Sequence, residues 1–142
     1  MSSQLNVDTI VDKAGSGGTN VKVANTSTYV SDGGAVTQNT VQSLVKVWCH
    51  FVQDSSHTIS DSFNVGSLTD NGEGDTTQNL TNNMSNSNFS GNCNAGLSNN
   101  RYALWSTLGT GTMPILSFRR GSSNSTADDA SGITTQIAGD LA

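Results

Sequence analysis

Basic side chains are the scarcest component of this sequence. Six Lys and Arg stand against eleven Asp and Glu, giving a net charge of −5, and Arg119–Arg120 is the one adjacent basic pair. Non-specific nucleic-acid binding depends on cations neutralising phosphates, so this composition argues against it, and against an anionic membrane surface for the same reason. Charged residues of both signs make up 12% of the chain, about half the usual ~25%. No apolar run approaches the ~18 residues of a membrane span. Met1 to Asn6 has neither a basic segment nor an apolar one after it, so no secretory signal is expected. The expectation is synthesis as a soluble protein in a cytoplasm. Two cysteines, Cys49 and Cys93, in a reducing site of synthesis favour free thiols over a disulfide. Heptads are missing, which excludes a long coiled coil. Phosphate-binding and dinucleotide fingerprints are missing as well.

What is abundant is Ser, Thr, Asn and Gly, which together form about half of the sequence, far above a typical domain. Such a chain has little apolar material for a core of its own. A β-protein that gains burial by associating with other copies is the natural outcome.

The densest apolar stretch runs from Ser43 to Val52. Val45, Val47, Cys49 and Phe51 alternate with Lys46, Trp48 and His50, the period of a strand with one deeply buried face. Further segments of the same period follow. Candidates are 57–60, 62–65, 76–81, 89–95, 101–107, 113–119 and 132–138, with turn signals between them. This spacing predicts an all-β fold, an antiparallel sandwich of jelly-roll type, over residues 44–142. Asp70 to Asp75, with Asn71–Gly72 and Gly74, is the strongest hairpin turn, its Asn-Gly pair supplying positive φ. Pro114 is expected at a strand start or edge. Residues 121–129 read as a polar loop. The core or interface set is Val45, Val47, Trp48, Cys49, Phe51 and Phe63.

Upstream, residues 1–35 read as an extended arm of short strands broken by glycines, with Leu5, Val7, Ile10, Val21 and Val23 as its apolar positions. One copy buries too little to fold alone, whereas three copies about a common axis would be stable. An edge hairpin on the main domain is the alternative. Residues 36–43 form a short connector, where Val36, Thr40, Val41 and Leu44 share one side of a helical turn that Thr37 would cap.

Few constellations suggest chemistry. Asp70, Glu73 and Asp75 bring three carboxylates together, but without the spacing of a calcium loop, and a solvated hairpin tip accounts for them better. Cys49 and His50 point to opposite faces of one strand and cannot easily share a metal. There is no Gly-x-Ser-x-Gly elbow. No catalytic residue, metal or cofactor is assigned, and the chain is read as non-enzymatic. Tyr102 and Trp105 face opposite sides of one strand. One belongs to the core, and the other is a candidate contact for a glycan or receptor or fills a subunit interface; Trp48 and Trp105 are favoured as packing residues over ligand contacts.

The motif order resembles that of small fibre and virion proteins of phages, in particular marine podoviruses. The matching pieces are residues 5–12, residues 34–42 with Lys46–Val47–Trp48, residues 61–75, then Asn79 to Thr81, Met84, Asn88–Phe89 and Gly139 to Ala142. They span most of the chain; the Asn/Ser tract 82–100 departs from the pattern. The resemblance implies a homotrimer in the virion. Its N-terminal arm would dock on capsid, tail or adaptor proteins, and its β-domain would be displayed as a tail fibre or head decoration toward a host surface glycan. A free lectin-like carbohydrate-binding module is the alternative.

Overall fold

A computed structural model describes residues 27–30, 37–54, 56–96 and 100–142. The arm positions Leu5, Val7, Ile10, Val21 and Val23 lie outside these. The described residues fall into two units divided between Val41 and Gln42. In the first, strand β1 (Thr28–Val30) pairs antiparallel with β2 (Thr37–Asn39), Tyr29 opposite Gln38. The possible helical turn over 36–43 is thus replaced by a strand and a turn. The β-branched Thr37 favours extended backbone in β2, and the turn begins at Thr40.

The second unit holds nine strands: β3 (Val45–Val52), β4 (Thr58–Phe63), β5 (Val65–Gly72), β6 (Asp75–Leu80), β7 (Ser90–Ala95), β8 (Arg101–Trp105), β9 (Thr112–Arg120), β10 (Ser125–Ala127) and β11 (Ile133–Ala138). All pairings are antiparallel, and no helix occurs among the described residues. The first sheet runs β4-β3-β11-β7. In the second, β5, β6 and β9 are neighbours and β9 also pairs β8 and β10. Arg119 pairs with both Thr126 and Arg101, and Ile115 with both Thr76 and Trp105. A strand has two edges, so β8 takes one edge of β9 while β6 and β10 share the other. The hairpins β3–β4, β5–β6 and β8–β9 stay within a sheet; the connections β4 to β5, β6 to β7, β7 to β8 and β10 to β11 cross between sheets.

The two sheets bury their inner faces in one apolar cluster. Val47, Cys49, Phe51, Ile133 and Ile137 come from the first sheet, and Val65, Met113 and Ile115 from the second, with Met84 and Ala130 joining from loops. The alternation of β3 therefore holds for Val47, Cys49 and Phe51, while Val45 is half-buried. Trp48 and Phe63 are corrections to the core set: they are 37% and 51% exposed. They oppose one another on β3 and β4, on the face turned away from the core. Strand parity sends them outward and leaves the interface half of that assignment as the one open to them. Lys46, expected on the same outer side, is buried. Ile137 faces Val47 and Ala138 faces Val45, leaving Lys46 as the extra residue of a bulge that breaks the parity. Its Nζ donates to the Leu44 carbonyl at 3.0 Å. Burial pushes its pKa down, opposed by the charge of Asp140.

Polar residues cross the core. Gln53 and Gln78 are fully buried. Gln53 Nε2 donates to Thr76 Oγ1 at 2.9 Å, while Gln53 Oε1 accepts from Ser117 Oγ at 2.5 Å and from the Ala130 amide at 3.1 Å. Gln78 Nε2 donates to Thr135 Oγ1 at 3.0 Å. Each glutamine ties one sheet to the other, and the hydrogen bonds at both ends of its amide offset much of the cost of burying it.

Turns follow the sequence with local differences. The 70–75 hairpin forms, but positive φ is carried by Gly72 (129°) and Gly74 (70°), not by Asn71. Gly74 is indispensable by position: a Cβ there would sit 2.5 Å from the Ser117 carbonyl oxygen and 2.7 Å from the Asp128 amide. The two segments expected at 57–60 and 62–65 merge into β4 as far as Phe63; Asn64, at φ 62°, turns the chain, and Val65 opens β5. Within the expected loop 121–129, Ser125–Ala127 pairs with β9 as β10. Pro114 is the third residue of β9, paired with Thr77 of β6. Its carbonyl accepts from the Ser106 amide at 3.0 Å. Its ring nitrogen has no proton to return, consistent with β8 ending at Trp105.

Candidate functional site

The outer face of the first sheet gathers the exposed aromatics. Register across β4, β3, β11 and β7 lines up Phe63, Trp48, Gln136 and Asn92 in one row. The next row on the same face is Asp61, His50, Thr134 and Asn94. All eight are exposed. Adjacent strands lie ~4.8 Å apart, so each row spans roughly 14 Å. Neither Asn92, Asn94 nor Gln136 is engaged by a side-chain hydrogen bond; Asp61 Oδ1 accepts only from the neighbouring Ser62 amide, at 2.8 Å. The face offers two ring surfaces, three free carboxamides, a hydroxyl, an imidazole and one carboxylate.

The outer face of the second sheet is different. Tyr102 is 39% exposed and stacks on Phe118 of β9, ring centroids 5.4 Å apart. Leu104, also 39% exposed, lies opposite Leu116. Trp105, by contrast, packs against the core from the inner face, and its buried Nε1 has no hydrogen-bond partner. Tyr102 and Trp105 thus face opposite sides of β8, as their spacing implied: Trp105 packs on the core, and Tyr102 lies in an apolar stripe. Further along that face the amides are occupied. Asn79 Nδ2 donates to Ser67 Oγ at 3.2 Å and Thr69 Oγ1 at 3.0 Å. Asn71 Nδ2 donates to Thr77 Oγ1 at 2.9 Å and Asp75 Oδ1 at 3.2 Å.

Groups that could do chemistry are dispersed. Cys49 and Cys93 are free thiols, each opposite Thr135 on either side of β11. Two strand spacings put them roughly 10 Å apart, beyond the ~7 Å limit for a disulfide. Burial pushes both thiols up to about 12, with Asp61 adding to the effect at Cys49, so neither is an activated nucleophile. His57 is held at φ 43° with its side chain 8% exposed. Its Nε2 lies 3.6 Å from Asp70 Oδ1, and neither ring nitrogen is hydrogen-bonded, so no serine is engaged by it as a nucleophile. Of the turn carboxylates, Asp70 accepts from the Gly72 amide and Asp75 from Asn71. Among the described residues no group of three or more His, Cys, Asp or Glu is placed to hold a metal ion.

Arg101 and Arg119 converge on Asp128. Arg101 Nε makes the tighter pair with Asp128 Oδ2, and Arg119 Nε lies at 3.1 Å. The Arg101 hydrogen bond, the charges of both arginines and the Arg119 hydrogen bond hold the Asp128 carboxyl below its usual range. Beside it, a shallow cleft of about 310 Å³ is lined by Asn100, Arg120, Gly121 and Ser122. It is open to solvent and brings only one charged side chain to bear.

Sequence alternation set Trp48 and His50 apart from Val47, Cys49 and Phe51, but it could not show that Phe63, Gln136 and Asn92 share a row with Trp48. Comparisons with protein-family models, with curated proteins and with solved structures find no match for this chain.

Proposed function

We propose that this chain is a non-enzymatic structural protein of a phage virion, of the tail-fibre or capsid-decoration kind, made in the bacterial cytoplasm. Its N-terminal unit docks on other virion proteins, and its β-domain is displayed and contacts the host surface. The observation that carries this reading is an apolar stripe on an edge strand and its neighbour, in which Tyr102 and Leu104 are exposed and Phe118 and Leu116 half-buried. An exposed apolar patch on a chain so poor in apolar residues is what association with other copies would cover, in keeping with a homotrimer. The resemblance of the motifs at 5–12 and 61–75 supplies the virion context.

Native mass spectrometry of the full chain tests the association: trimers are expected, and a stable folded monomer at micromolar concentration would refute it. Antibody labelling of purified particles tests the location. Absence of the chain from particles would leave the lectin-like reading standing alone, a reading that the free amides around Trp48 favour.

A further inference from the structure

We infer that the outer face of the sheet β4-β3-β11-β7 is a binding platform for a neutral oligosaccharide, with Trp48 and Phe63 as the stacking surface and Gln136 and Asn92 as the hydrogen-bonding arm. The inference deepens the host-contact part of the reading above and rests on it only for biological setting; the face itself is argued from its chemistry.

Three observations converge. First, Trp48 and Phe63 are cross-strand partners, both exposed, on a face that contributes nothing to the core. Exposing two large rings side by side forfeits apolar burial of ~1.5–3 kcal/mol for a ring like Phe, a cost that a ligand seated on them would recover. The C–H-bearing face of a pyranose is an apolar surface matched to a flat ring.

Second, the row continues into polar groups that the protein leaves unused. The carboxamides of Gln136 and Asn92 each offer two donors and an acceptor, and neither is engaged by another side chain. A sugar hydroxyl both donates and accepts, so it can satisfy either end. On the second sheet the same residue type is consumed internally, as Asn79 and Asn71 demonstrate. A row of roughly 14 Å accommodates an oligosaccharide rather than a single ring.

Third, charge selects the class of ligand. Neither row contains Lys or Arg, and the formal negative charge is Asp61 beside His50. A phosphate chain or a polyanionic glycan finds no counter-charge here. A second protein copy would have to bury free amides and a carboxylate against itself, at a cost unless every one were paired. A neutral polyol meets each group with a hydroxyl.

The experiment uses the full chain and its Trp48→Ala, Trp48→Phe and Glu73→Gln variants, Glu73 being exposed at the 70–75 hairpin tip. The probe is a panel of neutral gluco-, galacto- and manno-configured oligosaccharides, with their uronate counterparts, and binding is read by calorimetry. Iodide quenching of tryptophan fluorescence runs in parallel, since Trp48 is the exposed indole and Trp105 faces the core. Expected are binding of at least one neutral member, protection of Trp48 from quencher, weakening by about thirtyfold in Trp48→Ala, partial retention in Trp48→Phe, and no change in Glu73→Gln. Failure of the whole neutral panel to bind folded protein would overturn the inference. So would preferred binding of the uronates, undiminished binding by Trp48→Ala, or Trp48 protection that grows with protein concentration without sugar, which would assign the face to a second copy. The outcomes separate from the virion reading. A chain that binds sugar but is absent from particles keeps this face and loses the virion; a chain in particles whose Trp48 ignores the panel does the reverse.

Discussion

The two outer faces of the sandwich are made from similar residue types and employ them in opposite ways. On the second sheet, Asn71 and Asn79 reach across to Asp75, Thr77, Ser67 and Thr69, so amides act as ties between β5 and β6. On the first, Asn92, Asn94 and Gln136 reach nothing. The aromatics are reversed in company as well: Tyr102 sits with Phe118, Leu104 and Leu116, whereas Trp48 and Phe63 sit among polar groups. An Asn-rich composition thus has no single meaning. A satisfied amide is a contribution to sheet stability, and an unsatisfied, solvated one is a group available to a ligand.

The largest expected effect would erase the comparison by removing what both faces rest on. Gln53→Ala deletes the partner of Thr76 and of the Ala130 amide in the core and leaves a cavity. A loss of about 2–4 kcal/mol is expected in urea denaturation. A loss under about 1 kcal/mol would mean that the sheets are held by apolar packing alone.

Acid would separate the faces. Asp128 is held below its ordinary range in the folded state, chiefly by Arg101, so its contribution is complete above the unfolded value of ~3.9 and declines as pH falls through the lower folded value. Asp128→Asn is expected to cost about 1 kcal/mol at neutral pH, discounted for partial exposure. The gap from the wild type should close on acidification below about pH 4. A gap unchanged between pH 7 and pH 3 would break the assignment. Trp48 quenching should not follow this titration.

The sharpest test of the contrast pairs two single substitutions. Asn79→Ala on the second sheet should cost about 0.5–1.5 kcal/mol, since it releases two cross-strand bonds. Asn92→Ala on the first should stay within about 0.5 kcal/mol of wild type. Equal losses by thermal denaturation would show that the amides of the two faces are not used differently.

Much of the strand plan was legible because it is local. β3, β6, β7, β8, β9 and β11 follow period-2 runs of β-branched and apolar residues, and the 70–75 hairpin follows its glycines. Trp48 and Phe63 were assigned to the core or an interface; the alternation of β3 already set Trp48 apart from Val47, Cys49 and Phe51, and only the register of β3 against β4 brings Phe63 beside it on the outer face. Lys46 was misread in the other direction, since a bulge inverts parity and leaves no mark in composition. β10 was missed because Ser125, Thr126 and Ala127 have no apolar face of their own; they are a strand only because β9 offers the edge beyond the end of β6.

Alternation and turn chemistry, which act over a few residues, were enough to specify an antiparallel β-protein and where most of its strands lie. Which cysteine neighbours which threonine, which glutamines are buried, which amides are spent and which face keeps its aromatics in solvent depend on pairings between residues dozens of positions apart. Side-chain alternation assigns each residue to one of two sides of a strand. Packing the two sheets together decides which side becomes interior and which remains a surface able to bind.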